Sequence, residues 1–281
     1  MPMPLQRLLR PRSIAIVGAS PDRMSPGNNA LANLDRAGYA GALHLVSRTR
    51  SQIDGRTCLK SIDDLPDGVD AVILIVPAQA VRDAVEACVR RGIWYISDEI
   101  YHGLTYGMPA ATALQFSDQA IIINSFSKYF SMTGWRVGWM VVPDGLVRTV
   151  ERLAQNLYIS PPAVAQVAAL GAFDGMDELL ANKRVYEANR DLLLAGLPKA
   201  GLTRIVPADG AFYLYADVGH VTDDALAFAR TLLDETGIAA TPGVDFDEAR
   251  GRRFLRFSYA GATADMAEAV DRLQRWGRLQ A

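Results

Sequence analysis

Apolar positions along the first half of this 281-residue chain gather into short β-rich runs separated by segments of helical spacing. Ser13-Ile-Ala-Ile-Val17 runs into Gly18, residues 43–46 form a second run, and Asp70-Ala-Val-Ile-Leu-Ile-Val76 a third, stopped by Pro77. Between them, residues 28–37 read as a helix ended by Gly38. Residues 78–91 read as an amphipathic helix, with Ala80, Val81, Val85 and Cys88 near one face and Gly92 closing it. Further strands are predicted at 94–98, 120–124 and 137–142, the last closed by Pro143-Asp144-Gly145. Strands alternating with helices predict an α/β fold with a mostly parallel, doubly wound sheet.

After Leu146 the pattern changes. Residues 146–157 and 162–194 read as helical almost throughout, apart from Ser160-Pro161-Pro162. A C-terminal α+β small domain follows, with strands at 210–217 and 254–259 and helices at 223–236 and 263–277. There is no internal repeat and no low-complexity segment.

Composition narrows the function classes. Half of the residues are apolar, enough for a substantial core, and 29 basic residues face 31 acidic ones. That balance argues against nucleic acid as a partner, because phosphate binding needs a basic excess. No apolar run reaches the ~18 residues of a membrane span. The opening Met1-Pro-Met-Pro-Leu-Gln-Arg7 lacks the apolar core of a signal peptide. A cytoplasmic protein is expected, with Cys58 and Cys88 as reduced thiols and no membrane partner. His44, His102 and His220 are scattered, so no metal site is expected.

Three segments carry candidate chemistry: Ser97-Asp98-Glu99-Ile100-Tyr101 at a strand end; Ser125-Phe126-Ser127-Lys128 at the next strand end, followed by Gly134-Trp135-Arg136-Val137-Gly138; and Phe254-Leu255-Arg256-Phe257-Ser258-Tyr259. Carboxyl ends of parallel strands are where open α/β sheets bind ligands. A lysine that can hold an aldehyde as an imine, a carboxylate, hydroxyls and arginines are the groups that pyridoxal 5'-phosphate (PLP) chemistry requires. Taken singly, each is more often a cap, a solvated lysine or an exposed strand arginine.

In combination, Asp-Glu-x-Tyr, Ser-x-Ser-Lys and Gly-Trp-Arg-x-Gly resemble the class I/II, fold type I, PLP-dependent aminotransferases. The resemblance covers about the last two-thirds of the chain, Gly210-Ala-Phe-Tyr-Leu included. It implies a transaminase acting on an α-amino acid and a 2-oxo acid. Lys128 would be the Schiff-base lysine and proton shuttle, Asp98 would pair with the pyridinium nitrogen, and Tyr101 would hydrogen-bond the ring oxygen. Ser125 and Arg136, assisted by Ser127, would hold the phosphate. Arg256 would bind the substrate α-carboxylate. It also implies a homodimer, with the apolar stretch Leu157-Tyr-Ile-Ser-Pro-Pro162 at the contact. The family's Asn-Pro segment, its ring-stacking aromatic and its small-residue phosphate loop have no match in the aminotransferase-like part.

The first 93 residues resemble something else. Arg12-Ser-Ile-Ala-Ile-Val-Gly-Ala-Ser20, Ala37-Gly-Tyr-Ala-Gly41, Leu65-Pro66 and the run ending at Pro77 are similar to the CoA-binding domain of succinyl-CoA-synthetase α-type and NDP-forming acyl-CoA synthetase proteins. A strand ending in Gly18, Ala19 and Ser20 is a possible CoA or phosphate loop, since small residues let backbone approach a phosphate near a helix N-terminus. The full Gly-x-Gly-x-x-Gly pattern of NAD sites is missing. No Gly-, Ser- or Pro-rich linker marks the join near residue 93. The expected organisation is therefore a chimera: a CoA-binding-like Rossmann fragment over 1–93, an aminotransferase large-domain fragment over 94–158 sharing the same sheet, and the small domain over 159–281. The alternatives to an aminotransferase are a CoA- or nucleotide-binding module, or an engineered α/β chimera without selected catalysis.

Overall fold

The computed structural model describes residues 10–22, 25–76, 78–93, 95–247 and 250–280, with backbone alone at 78 and 79. The expectations resting on residues 1–7, Pro77 and Trp94 lie outside the described residues. The chain divides into two compact units, one comprising Met1–Glu99, Ala111–Asn124 and Gly138–Ser160, the other Ile100–Ala110, Ser125–Val137 and Pro161–Ala281.

The first unit opens with a five-stranded sheet of order β3-β4-β2-β1-β5. Its strands are β1 (Ser13–Val17), β2 (Ala42–Val46), β3 (Gln52–Ile53), β4 (Arg56–Leu59) and β5 (Ala71–Leu74). β1 pairs in parallel with β2 on one side and β5 on the other. Alternation along β1 sends its side chains to two cores. Ile16 joins Leu31 and Leu45 beneath helix α1 (Pro26–Arg36), while Ala15 and Val17 join Val46, Ala84, Ala87 and Cys88 beneath helix α2 (Ala78–Arg90). The Ser25 hydroxyl caps α1 by accepting from the Asn28 amide, and Pro26 follows at the first helical turn. β3 and β4 form a hairpin whose turn, Asp54-Gly55, has positive φ at both residues (47° and 76°). That is the backbone Asp-Gly favours in a two-residue turn.

A second sheet in this unit has the order β6-β7-β8, from β6 (Tyr95–Asp98), β7 (Ala120–Ser125) and β8 (Gly138–Val141). β6 and β7 run parallel, with Asp98 opposite Ile123. Helix α3 (Asp144–Leu157) follows and buries none of its residues. The fold is α/β as expected, but the single sheet expected across the join is corrected to two. β1 has both edges occupied, by β2 and β5, so it cannot also take the 94–98 strand. β5 ends at Leu74, and among the described residues β6 is hydrogen-bonded to β7 rather than to β5. An apolar run announces a strand without naming its neighbour.

The second unit contains the sheet β10-β11-β9, from β9 (Tyr213–Asp217), β10 (Thr241–Pro242) and β11 (Phe254–Ser258). Around it lie α5 (Met176–Gly196), α6 (Ala225–Thr236) and α7 (Thr263–Trp276). Leu197, Leu202, Leu214, Leu232, Leu255, Tyr259 and Leu273 form its fully buried centre. Asn189 on α5, also buried, donates to the carbonyls of Tyr259 (3.0 Å) and Gly261 (2.8 Å). The helix expected over 162–194 is two helices, α4 (Ala163–Gly171) and α5, because Gly171 and Gly175 interrupt it. Among the described residues no helix is long and apolar enough to cross a membrane, and no group of His, Cys, Asp or Glu could hold a metal ion.

Candidate active site

The lysine loop is built by local sequence. β7 ends at Ser125, whose hydroxyl accepts from the Ser127 amide (3.0 Å) and donates to the Val137 carbonyl (3.4 Å). The Phe126 amide also donates to Val137 (3.1 Å), and the Thr133 hydroxyl donates to the Ser127 carbonyl (2.5 Å). Phe126 and Phe130, two residues either side of Lys128, are the anchors. Their rings lie 4.8 Å apart, both meet Phe173, and Phe126 packs on the Ala165/Ala169 face of α4. Alanines at helical spacing let the rings approach the helix closely.

Thus mounted, Lys128 is half-buried and directs its Nζ at two aromatic rings, 5.8 Å from the centroid of Tyr101 and 5.7 Å from that of Phe212. Among the described residues no carboxylate or carbonyl accepts from this Nζ. Tyr101 is held where the chain turns tightly through Gly103, at φ 89°; a Cβ there would collide with the Tyr129 ring. Beyond it, the Tyr106 amide donates to the Asp209 carbonyl (2.9 Å) and the Ala211 amide to the Leu104 carbonyl (2.8 Å). The hydroxyls of Tyr106 (2.7 Å) and Tyr259 (3.3 Å) both donate to the Ala211 carbonyl. Burial pushes both phenols above their ordinary value. They remain hydroxyl donors; Tyr106 so fastens the 101–106 segment to the residues just before β9, and Tyr259 ties the end of β11 to the same carbonyl.

Arg256 lies on β11 opposite Tyr215 of β9. Its guanidinium carbon is 4.1 Å from the ring centroid of Tyr213 and 4.1 Å from that of Phe246. Tyr213 in turn meets Phe212 at 4.6 Å and Tyr101 at 6.5 Å. One contiguous cluster of rings therefore carries Lys128 at one end and Arg256 at the other. Arg136 is exposed, has a left-handed backbone (φ 57°), and donates from Nη1 to the Thr133 carbonyl (2.8 Å). The second unit thus gathers Tyr101, Ser125, Ser127, Lys128, Arg136 and Arg256. Asp98 belongs to the first unit, exposed at the carboxyl end of β6. Its neighbour Glu99 is buried and accepts from the Ala113 amide (2.8 Å) and the Thr112 hydroxyl (3.2 Å). Phe212, Tyr213 and Phe246 also belong to the ring cluster, without a role that a motif assigns. For the first two the signal was Gly210-Ala-Phe-Tyr-Leu; nothing local singles out Phe246.

The first unit has a cavity of its own, about 520 Å³, at the carboxyl ends of β1, β2 and β5. Gly18, Ala19, Arg48, Lys60 and Arg90 are among its lining residues. Gly18 has φ 89°, and a Cβ there would strike the Ile75 carbonyl oxygen. The amides of both Gly18 and Ala19 donate to the Val46 carbonyl (3.0 and 3.3 Å). The Ser20 hydroxyl accepts from the Asp22 amide (3.1 Å). The first two amides of the expected phosphate loop are thus engaged inside the protein, and the cations of the cavity come from side chains.

The model of the aminotransferase class I and II family matches residues 74–273. The chain belongs to that family. A CoA-binding domain model matches residues 12–97, overlapping the first over 74–97, so this is a two-part protein. Over 206 residues it is 46% identical to the valine–pyruvate aminotransferase of Mycobacterium tuberculosis, covering 72% of this chain and 53% of that protein. It is 33% identical over 222 residues to the (5-formylfuran-3-yl)methyl phosphate transaminase of Methanocaldococcus jannaschii, covering 75% and 59%. The chain thus spans little more than half the length of these curated relatives. An aminotransferase crystal structure from Mycobacterium tuberculosis superimposes with a TM-score of 0.71 at 36% identity, covering 94% of this chain and 69% of that one.

Proposed function

We propose that this aminotransferase-family chain transfers an amino group between an α-amino acid and a 2-oxo acid, with PLP as cofactor. The observation that carries this reading is the ring cluster joining Lys128 to Arg256, which mounts an amine and a guanidinium on one rigid aromatic wall. The residues fit the cofactor. Lys128 Nζ faces rings with no acceptor among the described residues, as an amine reserved for a carbonyl partner does. Ser125, Ser127 and Arg136 sit on the same loop, with hydroxyls and guanidinium N–H groups suited to a phosphate dianion. Asp98 takes the pyridinium nitrogen and Tyr101 the ring oxygen by the family resemblance. PLP, when bound, supplies an electron sink for negative charge at the substrate Cα.

The chain's own groups do the rest. Arg256 grips the α-carboxylate with its planar fork, so the amino acid and the 2-oxo acid both dock the same way. Lys128 Nζ takes the proton from Cα and returns it on the far side of the transfer. The rings of Tyr101 and Phe212 flank the amine and orient it. Lys128→Ala is expected to lower turnover of an amino acid with a 2-oxo acid to background and to remove the visible absorbance of PLP bound as an imine. Unchanged turnover in that variant would defeat the assignment. We further propose a homodimer, supported by the strongly exposed Leu157, Tyr158 and Ile159, and checked by light scattering at micromolar concentration.

A second reading concerns the first unit alone. Its cavity, with Arg48, Lys60 and Arg90, and the match to a CoA-binding domain favour CoA or a related nucleotide there, held by side-chain cations. Titration with CoA, followed by amide shifts around Gly18, Lys60 and Arg90, tests it; shifts no larger than those of distant amides would remove it.

A further inference from the structure

Phe246 is an exposed aromatic residue with an unusually firm mounting. Its ring is half exposed, and the guanidinium carbon of Arg256 lies over it, 4.1 Å from the centroid. The segment carrying it is tightly built. Gly243 and Gly251 touch closely enough that a Cβ on either would collide with the other. The Phe246 and Asp247 amides both donate to the Gly243 carbonyl (2.9 Å each). The next side chain, Asp247, is buried and pairs with Arg250 (3.4 Å). An exposed ring on so fixed a loop is held in place for something it touches, and what it touches is Arg256.

The guanidinium carbon of Arg256 lies over two rings, 4.1 Å from the centroid of Tyr213 on β9 and 4.1 Å from that of Phe246 in the loop after β10. Among the described residues no carboxylate or carbonyl accepts from it. An arginine usually orients by hydrogen bonds to protein acceptors, and those would occupy the edge a ligand needs. Two rings orient the plane without using an N–H group, so the whole donating edge stays available for a bidentate carboxylate.

We propose that Phe246 is a positioning residue for substrate carboxylate binding, forming with Tyr213 an aromatic clamp that fixes the plane of Arg256. This rests on reading Arg256 as the carboxylate-gripping residue. Phe246 touches neither the reacting carbon nor the amine, so its contribution falls on binding. Every substrate of the reaction carries the α-carboxylate, so the effect is the same for amino donor and oxo acceptor.

The test uses the full chain, with pyruvate as the probe and methyl pyruvate, which lacks the carboxylate charge, as the control. Binding is followed by calorimetry without PLP, and steady-state kinetics by turnover with PLP. Phe246→Ala is expected to weaken pyruvate binding by about 3- to 30-fold, the span of a cation–π contact. It should raise KM for both substrates in the same ratio with kcat within about twofold, and Phe246→Trp should restore both. Arg256→Ala should abolish pyruvate binding, and methyl pyruvate should bind weakly to every variant. If Arg256→Ala binds pyruvate as the parent does, the carboxylate site lies elsewhere and the clamp falls with it. If Arg256→Ala loses binding while Phe246→Ala keeps it within twofold, the clamp alone is overturned and the site stands. Because Phe246 is half exposed, its replacement leaves the core intact, which matching thermal melts would verify.

Discussion

Two regions inside the aminotransferase match are packed very differently. Around β9, β10 and β11, helices α5, α6 and α7 enclose a centre in which Leu197, Leu202, Leu214 and Leu255 are fully buried. In the β6-β7-β8 sheet with α3, no α3 residue is buried, and Ile96, Trp139, Met140, Val141, Val147, Leu153 and Leu157 are all exposed. Both regions have the apolar patterning of a folded protein, but one encloses most of it and the other only a small cluster around Ala120 and Ile122. The difference teaches that amphipathic pattern measures what a segment can bury, whereas stability follows what it does bury. The candidate site follows the packing: Lys128 and Arg256 stand in the unit that also encloses this core.

The comparison can be broken directly by paired truncations. Leu232→Ala, in the enclosed core, should cost about 2–5 kcal/mol. Leu153→Ala, in α3, should change stability by no more than about 0.5 kcal/mol. Urea unfolding followed by circular dichroism compares them, and equal costs would mean that α3 is covered in solution.

Gly18 sharpens the picture, because the first sheet of the same unit is tightly built. Gly18→Ala should destabilise by about 1–3 kcal/mol and deform the cavity floor, since the substitution meets both a left-handed backbone and the Ile75 carbonyl. Gly38 has the same sign of φ with open space around it, so Gly38→Ala isolates the conformational part, about 1 kcal/mol. Near-identical losses for the two variants would show that the close approach to Ile75 does not matter.

The last effect appears only at high pH and is the titration of Cys88, on the buried face of α2. Burial pushes its thiol up to about 11 from an ordinary 9.0. The folded state thus favours the protonated thiol, and the unfolded chain loses that proton first. The associated stability is complete below pH 9 and is lost as the pH rises through 11, by about 2–3 kcal/mol. Cys88→Ala should flatten that part of the pH–stability curve; an unaltered slope would assign it to other groups.

Much of this was legible in the sequence where the determinant is local. β1, β2, β5 and β7 stand within a residue or two of their apolar runs, and Ser125, Ser127, Lys128 and Arg136 share one loop because twelve residues encode it. The β3–β4 hairpin escaped because its strands are short and mixed in polarity, although Asp54-Gly55 was the usable signal. The break between α4 and α5 was written in Gly171 and Gly175 but masked by the alanine-rich pattern around them. Sheet membership and the ring cluster were not readable at all. The first depends on which strand edge is already occupied. The second joins Tyr101, Phe212 and Phe246 across some 145 positions of chain, and no local spacing encodes such a meeting.

The two tyrosine hydroxyls on the Ala211 carbonyl have a consequence for the order in which the molecule is made. Tyr106 emerges from the ribosome more than a hundred residues before Ala211, and Tyr259 still later. Closing that fastening means closing a long loop, whose entropy delays it relative to helices such as α1 or α2. Lys128 is therefore synthesised after Tyr101 but well before Phe212, the second ring that its amine faces. Until then only one of the two rings that flank the amine has been made, so the aromatic pair around Lys128 is completed late.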